Sequence, residues 1–458
     1  MTGLLSSLKN LRSFYDSGAT LSYNFRKKKL EELKKAIIKY EDEINKALFE
    51  DLKKSREEAW ATETGLLIAE LNSAIKNLHK WMKPKKVSTG LVTFPSSAKI
   101  YRDPLGVVLI IAPWNYPLQL LLIPLAGAIA GGNCAVLKPS ELASATEKII
   151  SKIIEETFPE NYVKVITGNG AEAVPAMLNN FRFDHIFYTG STTVGKEIYK
   201  LAAKDLVPVT LELGGKSPCI VCADADIKVA AKRIVLGKFL NAGQTCIAPD
   251  YILVHEKVKG QLLNELKIII EQFYSRNPST SSDFGKIINK NRFQKLVSYL
   301  HKGDIFYGGS YDESRLYIEP TLLINISLEN DVMKEEIFGP ILPVLVFTTT
   351  DEAMQMVNQN ENPLSFYLFT KNKNTEEEWM QKVSFGGGCI NNTVWHFTNE
   401  NMPFGGIGNS GLGAYHGKNT FDVFTHAKPV LKSSTWIDPS LKYPPFKGKM
   451  KWFKKLIG

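Results

Sequence analysis

From residue 106 onward, short apolar runs alternate with helical segments, and this alternation constrains the fold more than any other feature of the chain. Apolar runs at residues 107–112, 134–137, 163–166, 185–189 and 209–212 read as buried strands. Between them lie helical patterns. One is opened by Ser144 with Glu147 three residues on, the spacing of a capping box, and its apolar positions include Ile149, Ile150, Ile153 and Ile154. Parallel strands need crossover connections of this kind, so the pattern predicts an α/β fold, a mostly parallel sheet with helices on both faces. A second α/β stretch follows Gly214-Gly215, with strands expected at residues 217–222, 251–254, 344–347, 368–370 and 389–391. Upstream, residues 27–54 place Leu30, Leu33, Ile37, Tyr40, Ile44, Leu48 and Leu52 at steps of three and four, one apolar helix face. At 458 residues the chain is too long for one core, which predicts two or three domains.

Residues 104–137 carry no charge and could pass for a membrane span. Pro113, Pro117 and Pro124 interrupt them and Gly131-Gly132-Asn133 ends them, so a strand, a loop and a core helix fit better. The first ten residues lack the apolar stretch of a secretory signal. The formal charge of +9 is concentrated in residues 26–29 and in a tail holding Lys447, Lys449, Lys451, Lys454 and Lys455. No nucleic-acid module accompanies it, and no nucleic-acid partner is expected. The tail interleaves its lysines with Trp452, Phe453, Leu456 and Ile457, which fits a solvated extension or weak contact with a membrane surface. Five scattered cysteines argue against a disulfide framework and for a reducing, cytoplasmic compartment. No metal site is expected.

Three segments carry candidate chemistry. Asn241-Ala242-Gly243-Gln244-Thr245-Cys246 is polar and glycine-containing ahead of an apolar strand, which places Cys246 on a loop where a thiolate can be reached and stabilised. Cys134, Cys219 and Cys222 lie in apolar runs and read as packing residues, and Cys389 leads into a strand. Glu212 ends a strand among apolar neighbours, where desolvation raises a carboxyl toward neutrality and suits it to act as a base, although a salt-bridged structural glutamate is the commoner case. Asn115, within Pro113-Trp114-Asn115-Tyr116-Pro117, is an amide held in a proline-flanked turn; it can donate to an oxyanion or merely cap its own turn. Gly190-Ser191-Thr192-Thr193-Val194-Gly195 follows a strand and opens a helix, a place for phosphate. Its spacing is nearer a Walker A loop than a G-x-G-x-x-G fingerprint, but Glu197 stands where Walker A needs a hydroxyl.

Seven segments in order resemble the aldehyde dehydrogenase superfamily over nearly the whole chain: residues 113–117, Lys138-Pro139-Ser140-Glu141, residues 189–196, 211–218 and 243–246, Glu335-Glu336-Ile337-Phe338-Gly339-Pro340, and residues 403–411. Tyr415-His416-Gly417-Lys418, Phe421-Asp422, His426 and Tyr443-Pro444-Pro445 are similar to its class 3 branch, which handles medium-chain, long-chain and aromatic aldehydes and usually forms dimers. The resemblance implies a Rossmann-like NAD(P)-binding domain (residues 1–81 and 101–212) and an α/β catalytic domain (213–395). It further implies a small oligomerisation arm (82–100 and 425–445), a return to the cofactor domain at the active-site entrance (396–424), and the basic tail (446–458). It implies Cys246 as nucleophile, Glu212 as general base and Asn115 as oxyanion donor. Lys138 and Glu141 would contact the adenine ribose, Gly190 and Ser191 the pyrophosphate, and Glu336 and Phe338 the nicotinamide ribose and ring.

The expected reaction is oxidation of an aldehyde to a carboxylic acid through a thioester on Cys246. A CoA-acylating relative generally lacks the glutamate at the position of Glu212. A phosphohydrolase is disfavoured by Glu197, and a non-catalytic binding protein by the intact Cys246, Glu212 and Asn115. Glu141 should repel a 2′-phosphate while Lys138 offsets that repulsion, so NAD is expected with NADP tolerated.

Overall fold

The computed structural model describes residues 2–457, so the first residue of the amino-terminal segment and the last of the basic tail lie outside the described residues. The strands expected between residues 107 and 212 form one six-stranded sheet. Its order is Gly411–Leu412, Val209–Glu212, His185–Thr189, Val107–Ile111, Cys134–Lys138 and Val163–Val165. All pairings are parallel except that of Gly411–Leu412, which runs antiparallel along Val209–Glu212. Val107–Ile111 and Cys134–Lys138 are buried along their whole length, as strands covered on both faces must be. The chain reverses its direction of build between Val107–Ile111 and His185–Thr189. In open parallel sheets ligands bind at the carboxyl ends of such a pair. Those ends carry Asn115 and Gly190-Ser191.

A seven-stranded sheet forms the second core in the order Asp304–Tyr307, Thr321–Ile324, Ile341–Phe347, Tyr251–His255, Pro218–Val221, Ser365–Phe369 and Gly387–Ile390. Only the outer strand Asp304–Tyr307 is antiparallel. A third sheet joins Lys85–Val87, Ser96–Pro104 and Thr425–Ser433 antiparallel and stands largely exposed. The uncharged stretch is a strand and a fully buried helix, Gln119–Gly131, which closes on Gly132 at φ 87°. No described helix is long and apolar enough to cross a membrane.

Two local expectations are corrected. Residues 27–54 are not one helix. Tyr23–Lys39 and Glu41–Leu52 are separate, with Tyr40 at φ −99°, ψ 13° between them and Glu41, Asp42 and Glu43 opening the second, where acidic groups favour a helix start. The apolar face survives the break, since Leu30, Leu33, Ile37, Ile44, Leu48 and Leu52 are all buried. The capping box at Ser144 does not form. The helix Ser144–Thr157 starts at Ser144 without a local side-chain cap, and Asp51 accepts from the N–H groups of Ala145 (3.1 Å) and Thr146 (2.8 Å) instead. Packing of Glu41–Leu52 against this helix delivers a carboxylate to its positive end, and Glu147 is left to accept from Gly168.

Candidate active site

The loop bearing Cys246 owes its shape to backbone that few residues adopt. Asn241 and Ala242 stand at φ 52° and 51°, and Gly243 follows at φ 75°. A Cβ on Gly243 would overlap the Gly339 carbonyl, so this turn presses directly on the loop that holds Glu336 and Phe338. Gln244 locks the turn: its amide donates to the carbonyls of Asn241 (3.1 Å) and Lys286 (2.9 Å) and accepts from Ile288 N–H (3.1 Å). Asn115 Nδ2 donates to the Gln244 carbonyl at 3.0 Å, and Tyr116 Oη lies 2.6 Å from Thr245 Oγ1. The loop after strand Val107–Ile111 is thereby tied to the loop before strand Tyr251–His255. One Nδ2 proton of Asn115 is spent on this bond and the other remains to be donated.

Cys246, Glu212 and Asn115 line one cavity of about 690 Å³. Gly190, Ser191, Glu336 and Phe338 line it as well. Lys138 and Glu141 are not among its lining residues. They meet each other at 3.1 Å beyond it, where Glu141 also accepts from Gly170 N–H at 3.0 Å. Burial opposes the ionisation of Glu141, but the Gly170 N–H and the Lys138 ammonium outweigh it and hold the carboxyl below its usual value.

Glu212 ends its strand with a side chain 2% exposed, and neither carboxylate oxygen has a hydrogen-bond partner. Burial alone lifts this carboxyl well above its ordinary value. The expectation of a stabilised thiolate at Cys246 is not met: the thiol is raised. Burial, followed by the negative charges of Glu336 and Glu212, pushes the thiol up to about 12, while the N–H groups of Cys246 and Ile247 pull the other way. The loop supplies reach but no cation, so the thiol needs a proton acceptor to become nucleophilic.

Ser191 caps the helix Thr192–Ala203 by accepting from Val194 N–H, and Thr192 and Thr193 of its first turn line the cavity. Thr189 Oγ1 beside them is buried without a partner. A helix start with free N–H groups and an unpaired hydroxyl fits the pyrophosphate of a dinucleotide. The Glu336 carboxyl lies so close to Gly214 that any Cβ there would overlap it, and burial raises it to about 8. Phe338, at φ 50°, meets Trp114 edge to face at 5.3 Å. Their loop is pinned by Asp250, which accepts from Ile337 N–H at 3.0 Å and is ion-paired with buried Lys216, and by Arg292, which donates to the Ile337 carbonyl.

The aldehyde dehydrogenase sequence pattern matches residues 11–430. The chain belongs to the aldehyde dehydrogenase family. It is 47% identical over 445 residues to the 4,4′-diaponeurosporen-aldehyde dehydrogenase of Staphylococcus aureus, covering 97% of this chain and 96% of that protein. It is 40% identical over 452 residues to the dimeric NADP-preferring aldehyde dehydrogenase of Rattus norvegicus, covering 98% and 99%. A solved structure, the substrate-bound state of Staphylococcus aureus AldH, superposes with a TM-score of 0.97 at 46% identity and 99% coverage of both chains. This aldehyde dehydrogenase is therefore an NAD(P)-dependent oxidoreductase that acts on aldehydes.

Sequence reading did not reach the residues beneath this site. Lys54, Glu58, Glu63, Asp250 and Arg292 bear on the two loops from elsewhere in the chain. Lys54 follows Asp51-Leu52-Lys53 and reads as part of a solvated charge run, with no local signal of its burial. Tyr415 and His416 line the cavity too, and burial pushes His416 down to about 4, so it is neutral at physiological pH.

Proposed function

We propose that this aldehyde dehydrogenase oxidises medium-chain, long-chain or aromatic aldehydes to acids by a hydrolytic route, with Cys246 as nucleophile, Asn115 as oxyanion donor and Glu212 as base. The observation that carries this reading is the meeting of all three on one cavity that also reaches a helix start and a buried carboxyl. The Cys246 thiol gives up its proton to solvent water, and attack of Sγ on the carbonyl carbon forms a C–S bond as the C=O π bond opens, so the oxygen becomes an oxyanion facing the free N–H of Asn115. Ser191, Glu336 and Phe338 would hold the cofactor, with Lys138 and Glu141 at its adenine ribose, and it would supply the hydride acceptor. The C=O bond reforms as the C–H bond of the adduct breaks and its hydride leaves for that acceptor, which gives a thioester. Ionised Glu212 then takes a proton from water, whose oxygen attacks the thioester carbon; the C–S bond breaks to release the acid, and the proton passes from Glu212 to the departing sulfur, which restores the Cys246 thiol.

Leu120, Tyr116, Phe397, Phe404 and Tyr415 give the cavity an apolar, aromatic part of its lining, and this supports a preference for apolar aldehydes. Ionised Glu141 supports NAD as the preferred cofactor, with Lys138 close enough to make NADP tolerable. Absorbance at 340 nm with purified protein and an aldehyde series from acetaldehyde through decanal to benzaldehyde tests the reading. The expected result is cofactor reduction without CoA, rising with apolar chain length and higher in kcat/KM for NAD than for NADP. Reduction only after CoA is added would replace hydrolysis with acylation.

A homodimer, located in the cytoplasm and touching anionic membranes at most peripherally, completes the proposal. The arm strand Thr425–Ser433 presents an unpaired edge, and Trp436 beyond it is 95% exposed. Strand register places Lys86, Lys99, Lys428 and Lys432 on one face of the arm, with Lys428 also facing Asp103. The tail helix Met450–Ile457 adds an apolar face of Trp452, Phe453 and Leu456 to its lysines. Light scattering is expected to give the mass of two chains. Deleting residues 446–458 is expected to reduce co-sedimentation with phosphatidylserine vesicles at low salt; unchanged co-sedimentation would end the membrane proposal.

A further inference from the structure

The two loops that form the reacting centre rest on buried charges from the amino-terminal helices. Lys54, which follows the helix Glu41–Leu52, and Glu63, in the π-helical turn Trp60–Thr64, are fully buried and meet at 2.6 Å. Lys54 Nζ also donates to the Asn115 carbonyl at 2.9 Å and lies 4.0 Å from the ring centroid of Tyr116. Glu63 uses its second oxygen to accept from the N–H groups of Leu118 (3.1 Å) and Gln119 (3.0 Å), where the helix Gln119–Gly131 begins. The carbonyl of Asn115 takes a second donor, Asn241 Nδ2, at 2.8 Å. Asn241 N–H in turn donates to Glu58 at 2.7 Å.

This arrangement holds more charge than stability requires. A buried ion pair recovers its desolvation cost only with good geometry and further hydrogen bonds, and apolar residues of similar volume often serve a core as well. What apolar residues cannot do is hold a carbonyl from below. With its carbonyl bound by Lys54 and Asn241, the Asn115 backbone cannot rotate, and its side-chain amide is aimed by that backbone. The charges pair across nine residues and close over a loop whose donor has to sit within a few tenths of an ångström of its target.

We infer that Lys54, paired with Glu63, is a positioning residue for aldehyde oxidation: it anchors the Asn115 carbonyl and thereby aims the Asn115 amide at the developing oxyanion. This rests on the assignment of Asn115 as oxyanion donor. A side chain that acts only through Asn115 has nothing left to do once that amide is gone, and this separates positioning from general support of the fold.

The test is a cycle of Lys54→Met, Asn115→Ala and the double variant, with kcat for decanal at saturating NAD, the equilibrium affinity for NAD and the melting temperature measured for each. Lys54→Met is expected to lower kcat about 10- to 100-fold, the usual cost of a misplaced catalytic group, with NAD affinity within about twofold. In the Asn115→Ala background the same change is expected to lower kcat by less than about threefold further. Should Lys54→Met leave Glu63 unpaired and the protein insoluble, Lys54→Met/Glu63→Gln removes both charges and takes its place in the cycle. Equal losses in both backgrounds would overturn the inference and leave Lys54 a structural residue. A full kcat in Asn115→Ala alone would instead overturn the assignment of Asn115 on which it rests.

Discussion

Replacement of Cys246 by alanine is expected to lower aldehyde oxidation on the order of 10⁴-fold or more, because no other thiol can take its place in the cavity. Cys134 and Cys219 are buried within strands, and burial lifts both thiols further from ionisation. Cys222 and Cys389 are partly exposed, but neither lines the cavity. The assay is cofactor reduction at 340 nm, with retained NAD affinity as evidence that the variant is folded. Residual turnover above about 1% of the natural rate would remove Cys246 from the role of nucleophile. The pH profile carries a second expectation. Burial pushes the thiol up to about 12, so it holds a proton that the reaction must remove, and it shifts the Glu212 carboxyl in the same direction. Turnover should therefore climb as pH rises from about 6 to 9, and a flat profile over that range would mean that deprotonation does not limit attack.

Glu212→Gln is expected to separate the two halves of the reaction and to stabilise the protein at the same time. Steady-state turnover should fall about 10²- to 10⁴-fold, since no base remains to activate water. Rapid mixing with NAD and decanal should still give a burst of about one reduced cofactor per active site, because thioester formation precedes hydrolysis. Loss of the burst as well would place Glu212 at the thiol rather than at the water. The stability effect follows from two oxygens buried without partners. Their carboxyl has a folded value above its unfolded one, so the stability it contributes is present below the unfolded value and is lost as pH rises through the folded value. Each unit of such a lift amounts to roughly 1.4 kcal/mol. The glutamine variant should melt higher than the natural chain at pH 8, with the gap closing toward pH 4. An equal or lower melting temperature at pH 8 would show that Glu212 is satisfied in solution.

The opposition between these expectations has a common physical source. A site that keeps a carboxyl buried without partners beside a buried thiol is unstable where it is reactive, and the surrounding chain holds it in shape. Val107–Ile111 and His185–Thr189 provide rigid strand ends, Gln244 locks a left-handed turn, and Asp250 and Arg292 pin the loop of Glu336 and Phe338.

Period and order alone pointed to two α/β units built on parallel strands, though not to Asp304–Tyr307 and Thr321–Ile324 at the edge of the second sheet. Strands buried on both faces must read as continuous apolar runs, so Val107–Ile111, Cys134–Lys138 and His185–Thr189 stood out, and helices between them dictated parallel pairing. The ends of those strands also marked Asn115, Gly190, Ser191 and Glu212, because a change from apolar run to turn is a local property. Contacts between distant segments are not local, and there only the tertiary structure decided. Asp51 rather than Ser144 caps the helix Ser144–Thr157, since Ser144 is already its first residue, after the N-cap Ala143, and a carboxylate from another helix reaches the free N–H groups. Lys54 looks like a member of a solvated charge run, and Glu63 like a lone polar residue beside threonines, until the fold buries them together beneath the Asn115 loop. The protonation of Cys246 was settled in the same way: a loop sequence tells that a thiol can be reached, whereas its charge depends on burial and on Glu212 and Glu336, brought beside it from other parts of the chain.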